Sequence, residues 1–303
     1  MRILIAPDSF KGSLTALEVA KAMEEGIKRF WPHCRTFTVP MADGGEGTVE
    51  ALATAAGGRI IPCQVTGPLG TPVEAFFGIL GDGTTAVIEM AAASGLPLVP
   101  REKLNPMATT TYGTGELMAK AMEYGCRKLV IGIGGSATND GGMGMAQVIV
   151  ADLGQDISQL PGVGAAGGLG GGLVAFTGAV LRSGVEIIME ASNLEQIMQQ
   201  VDLVITGEGR TDEQTIYGKA PIGEAQRAKK YGKPVVCLSG SLGPGAEKVY
   251  EHGVDAMFSI LKGPLTINQA IAGSKELITD AAERIARLIG LGMVVKGRFK
   301  EKD

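Results

Sequence analysis

The chain has 303 residues, which is enough for one large domain or two ordinary domains, each with its own apolar core. Its net charge of −4, its pI of about 5.4 and the lack of long basic runs argue against nucleic acid as the main partner. No apolar run reaches the roughly 18 residues that a membrane helix needs. Because the N-terminus leads directly into a predicted strand, we expect no signal peptide. We therefore expect a cytoplasmic protein without a membrane partner. Four scattered cysteines and only two histidines favour reduced thiols and argue against a zinc site.

The opening residues predict two successive strand, loop and helix units. Residues 2–6 form a short apolar strand, and the helix after the next loop starts at a capping box of Thr15 and Glu18. A second strand over residues 36–40 leads into the polar loop 41–47 and another helix. In an open parallel sheet such loops meet at the carboxyl ends of the strands, where ligands bind.

The middle of the chain has a different pattern. Strand-like runs at residues 59–65, 73–80 and 84–90 are joined by turns, with no helix between them. This predicts an antiparallel meander and hence a second domain. A helix over about residues 114–124 and an apolar strand at residues 128–133 follow.

The last third returns to alternating strands and helices. Its strand-like runs lie at residues 202–209, 234–240 and 255–261. Because the two ends share a pattern that the middle lacks, we expect a doubly wound parallel-sheet domain formed from residues 1–63 and 193–303. A mixed α/β domain of residues 64–192 is inserted into it.

The segment richest in chemistry follows the strand at residues 128–133. Together with the strand it spans residues 128–145, which combine six glycines with Ser136, Thr138, Asn139 and Asp140. Glycine admits positive φ and lets a ligand approach main-chain N–H groups, so the loop is typical of an anion site, although a tight structural turn is an equal alternative. Its spacing matches neither a P-loop nor a dinucleotide fingerprint. For the second glycine cluster, at residues 162–172, a closely packed helix start is favoured over a ligand loop.

Charged residues follow several of the predicted strands. They are Asp8, Lys11, Asp43, Glu46, Asp140, Glu208, Arg210, Asp212 and Lys219. Carboxylates hold Mg²⁺ and accept a hydroxyl proton, whereas cations and N–H groups balance the charge of a transferring phosphoryl group. The set indicates phosphoryl transfer, while for any single residue a solvated loop charge is an equal alternative.

Five long motifs occur in a fixed order along nearly the whole chain. They are APDSFKGSL (6–14), MADGGEGT (41–48), GIGGSATNDGGMGM (132–145), PGVGAAGGLGGGL (161–173) and TGEGRTDEQTIYGKAPIG (206–223). Together they resemble the signatures of the bacterial glycerate kinase family, of the glycerate 2-kinase type. The resemblance implies a flavodoxin-like domain carrying both chain ends. It also implies transfer of the ATP γ-phosphoryl group to a hydroxyl of D-glycerate with Mg²⁺, giving 2-phosphoglycerate.

Under this resemblance we expect Lys11 to neutralise phosphate or the substrate carboxylate. Asp43 and Glu46 are expected to hold Mg²⁺, and Asp140 or Asp8 to orient the glycerate hydroxyl and accept its proton. The expected nucleotide-binding residues are Gly134, Gly135, Ser136, Thr138, Asn139, Glu208, Arg210, Asp212 and Lys219.

One departure from the family pattern follows Gln147. Similar proteins continue there with a block of several tens of residues, whereas this chain resumes at Val148 well beyond that block. Two alternatives therefore stay open: a non-catalytic or truncated remnant that binds nucleotide or a small acid without turnover, and a kinase of another small hydroxy acid. The sequence leaves the oligomeric state open, including a homo-oligomer.

Overall fold

The computed structural model describes residues 1–42, 44–149 and 164–300. Residues 1–41 contain β1 (Arg2–Pro7), α1 (Ala16–Phe30) and β2 (Arg35–Thr38). Residues 42–192 contain α2 (Thr48–Ala55), β3 (Arg59–Thr66), β4 (Pro72–Ile79), β5 (Thr85–Glu89), α3 (Ala91–Ser94), α4 (Tyr112–Glu123), β6 (Lys128–Gly132), α5 (Met143–Ile149), α6 (Leu169–Thr177) and α7 (Gly184–Ala191). The rest contains α8 (Leu194–Gln200), β7 (Leu203–Gly207), β8 (Arg210–Thr211), α9 (Ala220–Lys230), β9 (Val235–Ser239), β10 (Ser241–Leu242), β11 (Ala256–Ser259), α10 (Ile267–Ala272) and α11 (Ser274–Lys300). Short 3₁₀ helices cover Leu96–Leu98, Arg101–Lys103, Glu213–Ile216 and Ala246–His252.

The chain divides into two compact units. The first unit comprises Met1–Met41 and Asn193–Asp303, and the second unit comprises Ala42–Ser192. We expected the first boundary after Cys63, but the structure has it at Met41. The boundary lies there because α2 and β3 belong to the second unit: β3 pairs with β4 along its whole length, and α2 packs on β4 and β5. Among the described residues, no helix is long and apolar enough to span a bilayer.

The first unit is built on a five-stranded sheet in the order β11-β9-β7-β1-β2, and every neighbouring pair of strands is parallel. Numbered within this sheet alone, the order is the flavodoxin-like doubly wound arrangement that we expected. From β1 the chain passes through α1 to β2 on one side, whereas from β7 it passes through α9 to β9 on the other. The topological switch point therefore lies between β1 and β7, and the loops after these two strands flank the crevice where such sheets bind ligands.

The core of the first unit includes the buried strand residues Ile3 and Ile5 and the facing sides of α1 and α11. α1 begins at the predicted capping box, in which the Glu18 N–H donates to the Thr15 hydroxyl and the Thr15 N–H donates to the Glu18 carboxylate. Gly26 lets α1 and α11 approach each other, because a Cβ there would lie 2.0 Å from the carbonyl oxygen of Thr279. The apolar face of α1 is thus fixed both by its start and by its partner helix.

The second unit is built on a four-stranded sheet in the order β3-β4-β5-β6. β3, β4 and β5 form the predicted antiparallel meander, and β6 is added to β5 in parallel after the crossover through α4. Phe77, Ile88 and Met90 are fully buried in its core, together with Leu117 of α4. This parallel pair aligns the ends of β5 and β6, so the loops that follow them meet.

The second glycine cluster leads into a closely packed helix in its described part. α6 begins after Gly168, whose φ is 86°, in the left-handed region that favours glycine. A Cβ at Gly172 would lie 2.5 Å from the carbonyl oxygen of Gly141. The expectation of a close-packed helix start is confirmed for residues 164–172, and residues 162 and 163 lie outside the described residues.

Candidate active site

The loop after β1 places Asp8 at the switch point of the first unit. Asp8 is buried, and its N–H donates to the carbonyl oxygen of Gly207 at the end of β7, at 2.8 Å. Its carboxylate accepts the N–H of Ser9 at 2.6 Å. The position of Asp8 is therefore fixed by the neighbouring strand rather than by its own loop alone.

The loops after β1 and β7 lie against each other. A Cβ at Gly209 would lie 3.3 Å from the Cα of Phe10, so the glycine allows the two backbones to meet. Lys11 follows Phe10 in an exposed turn. The structure thus brings Lys11 close to the segment that carries Glu208 and Arg210.

Glu208 is a buried carboxylate with three side-chain donors. It accepts hydrogen bonds from the hydroxyls of Thr211 at 3.1 Å and Thr215 at 2.7 Å, and from the ammonium of Lys219 at 3.2 Å. A buried charge needs partners of this kind to offset its lost hydration. Glu208 therefore holds Lys219 at the start of α9 and neutralises part of its charge.

Arg210 and Asp212 form an ion pair with an Nε to Oδ2 distance of 3.1 Å. Asp212 also accepts the N–H of Gln214 at 3.0 Å and so caps the following 3₁₀ helix. The side chain of Arg210 is 61% exposed. We therefore regard Asp212 as a structural residue of this loop and Arg210 as the cation that is accessible to a ligand.

The glycine-rich loop after β6 is packed against the loop that precedes α2. The Gly134 N–H donates to the carbonyl oxygen of Gly44 at 2.9 Å, and a Cβ at Gly134 would lie 2.7 Å from the Cα of Gly45. The expected use of the Gly134 N–H for phosphate is therefore not supported, because this donor is already used inside the protein. Gly135 has a φ of 77° and is exposed.

The polar residues after Gly135 serve mainly to shape the loop. The Ser136 hydroxyl accepts the N–H of Thr138 at 3.0 Å, and the two hydroxyls are also 3.0 Å apart. The Asn139 N–H donates to the carbonyl oxygen of Pro106 at 3.1 Å, while its side chain is exposed. Of these three side chains, that of Asn139 is the most accessible.

Asp140 connects the starts of α4 and α5. Its carboxylate accepts the N–H of Thr111 at 2.8 Å and the hydroxyl of the same residue at 2.9 Å. It also accepts the N–H groups of Gly142 at 3.1 Å and Gly144 at 3.2 Å. With both oxygens engaged in this way, Asp140 is better suited to holding the loop than to accepting a proton from a substrate.

The expected metal ligands fall on the loop before α2. Asp43 lies outside the described residues, and Glu46 is exposed. Within the described ranges, no group of three or more His, Cys, Asp or Glu side chains is close enough to hold a metal ion. Mg²⁺ in kinases is usually bound by one or two carboxylates together with substrate phosphates and water. The exposed carboxylate of Glu46 fits that mode.

Glu89, at the end of β5, is a candidate that the sequence analysis missed. It is 3% exposed, and its carboxylate accepts the N–H of Val49 in the first turn of α2 at 2.8 Å. Burial raises the pKa of Glu89 from its ordinary value to about 7, the Val49 N–H lowers it, and the charges of Glu46 and Glu50 raise it. The sequence feature that could have identified Glu89 is its position as a single acidic residue at the end of an apolar strand.

The candidate residues fall into two sets. The set in the first unit is Asp8, Lys11, Glu208, Arg210, Asp212 and Lys219. The described set in the second unit is Glu46, Gly134, Gly135, Ser136, Thr138, Asn139 and Asp140. Most of these residues lie on the loops that follow β1, β7 and β6, whereas Glu46 lies on the loop before α2 that packs against the loop after β6.

The sequence pattern of the glycerate kinase family matches residues 3–150 and 146–290. The chain belongs to the glycerate kinase family. It is 42% identical to glycerate 2-kinase of Escherichia coli (strain K12), over 97% of this chain and 99% of the relative. It is also 42% identical to a glycerate kinase of Bacillus subtilis (strain 168), over 96% of this chain and 98% of the relative.

A solved structure supports the fold directly. The crystal structure described as that of glycerate kinase 2 from Salmonella typhimurium LT2 matches with a TM-score of 0.80 and 39% identity. The match covers 97% of this chain and 99% of that one. The mixed α/β fold of this chain is therefore shared with a solved structure over nearly the whole length of both chains.

These alignments also contain a gap in this chain. The alignment to the Escherichia coli relative runs over 377 positions, although the whole chain has 303 residues. The family pattern matches in two segments that meet at residues 146–150. Several tens of residues of the relatives thus have no counterpart here, and the two matches meet where the sequence departs from the family, after Gln147.

Proposed function

We propose that this chain is an ATP-dependent glycerate kinase that transfers the γ-phosphoryl group to a hydroxyl of D-glycerate, giving 2-phosphoglycerate and ADP. The observation that carries the proposal is the 42% identity to a glycerate 2-kinase over nearly the full length of both chains. Its substrates are small molecules that are found in the cytoplasm, where we place the protein. A homo-oligomer stays a prediction.

The crevice at the switch point of the first unit suits phosphoryl transfer. Asp8 is buried and fixed by its main chain, which favours it as the group that orients the glycerate hydroxyl and accepts its proton. Lys11, three residues further along the same loop, is exposed and can reach phosphate or the substrate carboxylate. Because the carboxylate of Asp140 already accepts several hydrogen bonds, we assign it a positioning role.

Charge on the nucleotide is balanced by cations from the loop after β7. Arg210 is largely exposed, and Lys219 lies at the start of α9 with Glu208 as its partner. In the second unit, the turn at Gly135 leaves the backbone exposed and accessible to a ligand. Phosphoryl transfer is chiefly positioning and charge neutralisation, so these groups supply what the chemistry needs.

Mg²⁺ is the metal that this reaction class uses, and its site is proposed at Asp43 and Glu46. When bound there, the ion would neutralise negative charge that develops on the phosphates during transfer. The exposed carboxylate of Glu46 suits a metal that is held jointly with ATP and water.

A second candidate function is a remnant that binds nucleotide or glycerate without turnover. The observation that favours it is the block of the relatives that has no counterpart after Gln147. If that block carries a required group, the retained loops would still bind ligand.

Steady-state ADP release with Mg-ATP tests the proposal and separates it from both alternatives. We expect turnover with D-glycerate and a higher kcat/KM than with other small hydroxy acids. Calorimetric binding of ATP without any ADP release would identify the remnant. A higher kcat/KM for another hydroxy acid would identify a kinase of that acid.

A further inference from the structure

α9 carries a buried carboxyl group into the first unit, against the strands that end at the switch point. Glu224 lies in the middle of this helix and is completely buried. α9 packs on β7, β1 and β9. Within the described residues, neither carboxyl oxygen of Glu224 has a hydrogen-bond partner, and the buried hydroxyl oxygen of Thr206 on β7 has none either.

Thr206 connects this carboxyl to the candidate active site. It pairs with Ala6 on β1 and with Cys237 on β9, and the next residue, Gly207, accepts the N–H of Asp8. A shift of Thr206 would therefore move the strand end that fixes Asp8. An isolated carboxylate in such a place would lose its hydration without gaining donors, whereas a neutral carboxyl can donate its O–H to a nearby acceptor.

Burial, and secondarily the charge of Asp8, favour the neutral form of Glu224. Burial raises the pKa of Glu224 well above its ordinary range, the Thr206 hydroxyl acts in the opposite direction, and the charge of Asp8 raises it again. From β9, the buried thiol of Cys237 faces the same region, and burial raises its pKa to about 12, which keeps it neutral. After β7, the carboxylate of Glu208 is paired with Lys219.

The other elements that pack on α9 carry charges engaged elsewhere. Glu195 of α8 binds Arg227, and Glu213 binds Lys248. Glu251 on the last 3₁₀ helix is exposed. In the described part of the chain, these contacts place no cation that would stabilise an ionised Glu224.

We infer that Glu224 is a neutral positioning residue, whose O–H is donated toward Thr206 and whose lack of charge keeps a second negative charge away from Asp8 at the switch point. The inference rests on the proposed function insofar as it concerns substrate binding. Ionisation of Glu224 at high pH would add a negative charge beside a crevice that must accept two anionic substrates. The KM for those substrates should then rise with pH, and the stability of the first unit should fall.

The test compares wild type with Glu224→Gln and with the exposed control Glu251→Gln. Three properties are measured from about pH 6 to about pH 10: the infrared band of a protonated buried carboxyl, stability in urea, and KM for ATP and D-glycerate. We expect Glu224→Gln to lose the part of the band that persists above about pH 8, where Glu89 is ionised, and to keep kcat and KM within about twofold of wild type at neutral pH. The alkaline rise in KM and the alkaline loss of stability should both be absent. Glu251→Gln should behave as wild type in all three.

A second variant, Glu224→Leu, keeps the test possible if Glu224→Gln does not fold. Glu224→Leu removes the buried carboxyl and should fold, with no alkaline loss of stability. Its kcat should fall several-fold below that of Glu224→Gln, because only the amide can donate to Thr206. Similar kcat values in the two variants would overturn the positioning role.

Different results would contradict the neutral state of Glu224 and the proposed kinase activity. A wild-type spectrum without a band that depends on Glu224, or an alkaline rise in KM that persists in Glu224→Gln, would overturn the inference. A wild-type protein that shows the band and the stability change but no turnover would contradict the proposed function and still support a neutral Glu224.

Discussion

Replacing Glu89 by glutamine should remove a pH-dependent penalty from the second unit. The pKa of Glu89 rises on folding from 4.5 to about 7, chiefly because the side chain is buried. Since the folded state holds this proton more tightly, its stabilising effect is complete below pH 4.5 and is lost as the pH rises through 7. A pKa difference of one between the folded and unfolded states corresponds to about 1.4 kcal/mol, so the carboxylate costs about 3 kcal/mol above neutral pH.

Glutamine retains an oxygen that can accept the Val49 N–H but carries no charge at any pH. The difference in unfolding free energy between Glu89→Gln and wild type should therefore grow by about 2 to 3 kcal/mol between about pH 5 and about pH 8. Because the chain has two units, the assay is urea unfolding followed by hydrogen exchange of the peptides that contain α2. Glu123→Gln, at the exposed end of α4 in the same unit, is the matched control. Parallel stability curves for wild type and Glu89→Gln would refute the reasoning.

Three further substitutions test individual assignments. Lys11→Met should lower kcat about 100-fold or more with an unchanged circular dichroism spectrum, because it removes the exposed cation that we propose neutralises phosphate or the substrate carboxylate. Near-normal turnover would contradict that role. Gly134→Ala should destabilise the second unit by about 1 to 3 kcal/mol in urea, because the added Cβ would lie 2.7 Å from the Cα of Gly45. Gly263→Ala is the control and should be neutral, because a Cβ at that position has no atom within 4 Å. Asp140→Asn should cost about 2 kcal/mol of stability in urea, because an amide cannot accept all of the hydrogen bonds that the carboxylate accepts. A variant that is as stable as wild type but has a strongly reduced kcat would instead indicate a catalytic role.

Local signals in the sequence were sufficient for much of the fold. The capping box at Thr15 and Glu18 fixes the start of α1, and the alternation of strands and helices at both chain ends predicts the parallel sheet of the first unit. The boundary after Cys63 was less accessible, because the partner of β3 is decided by pairing with β4 and not by the composition of β3 itself. For the same reason the addition of β6 to the meander was not foreseen.

The site was predicted less completely than the fold. A glycine in the sequence indicates a close approach to the backbone, but it does not distinguish a bound ligand from a neighbouring loop. At Gly134 the neighbour is the loop at Gly44. Glu89 and Glu224 were missed because a carboxylate in a strand end or on a helix is normally exposed. Their burial is a property of tertiary packing, which the local sequence does not display.

Phosphorus NMR of the purified 303-residue chain with Mg-ATP and D-glycerate tests the central claim most directly. We predict conversion of ATP to ADP with a stoichiometric phosphomonoester signal that coincides with authentic 2-phosphoglycerate, which would mean that the retained loops suffice for catalysis. A folded protein that binds ATP but gives no phosphoglycerate would contradict the account and would assign an essential group to the block that the relatives carry after Gln147.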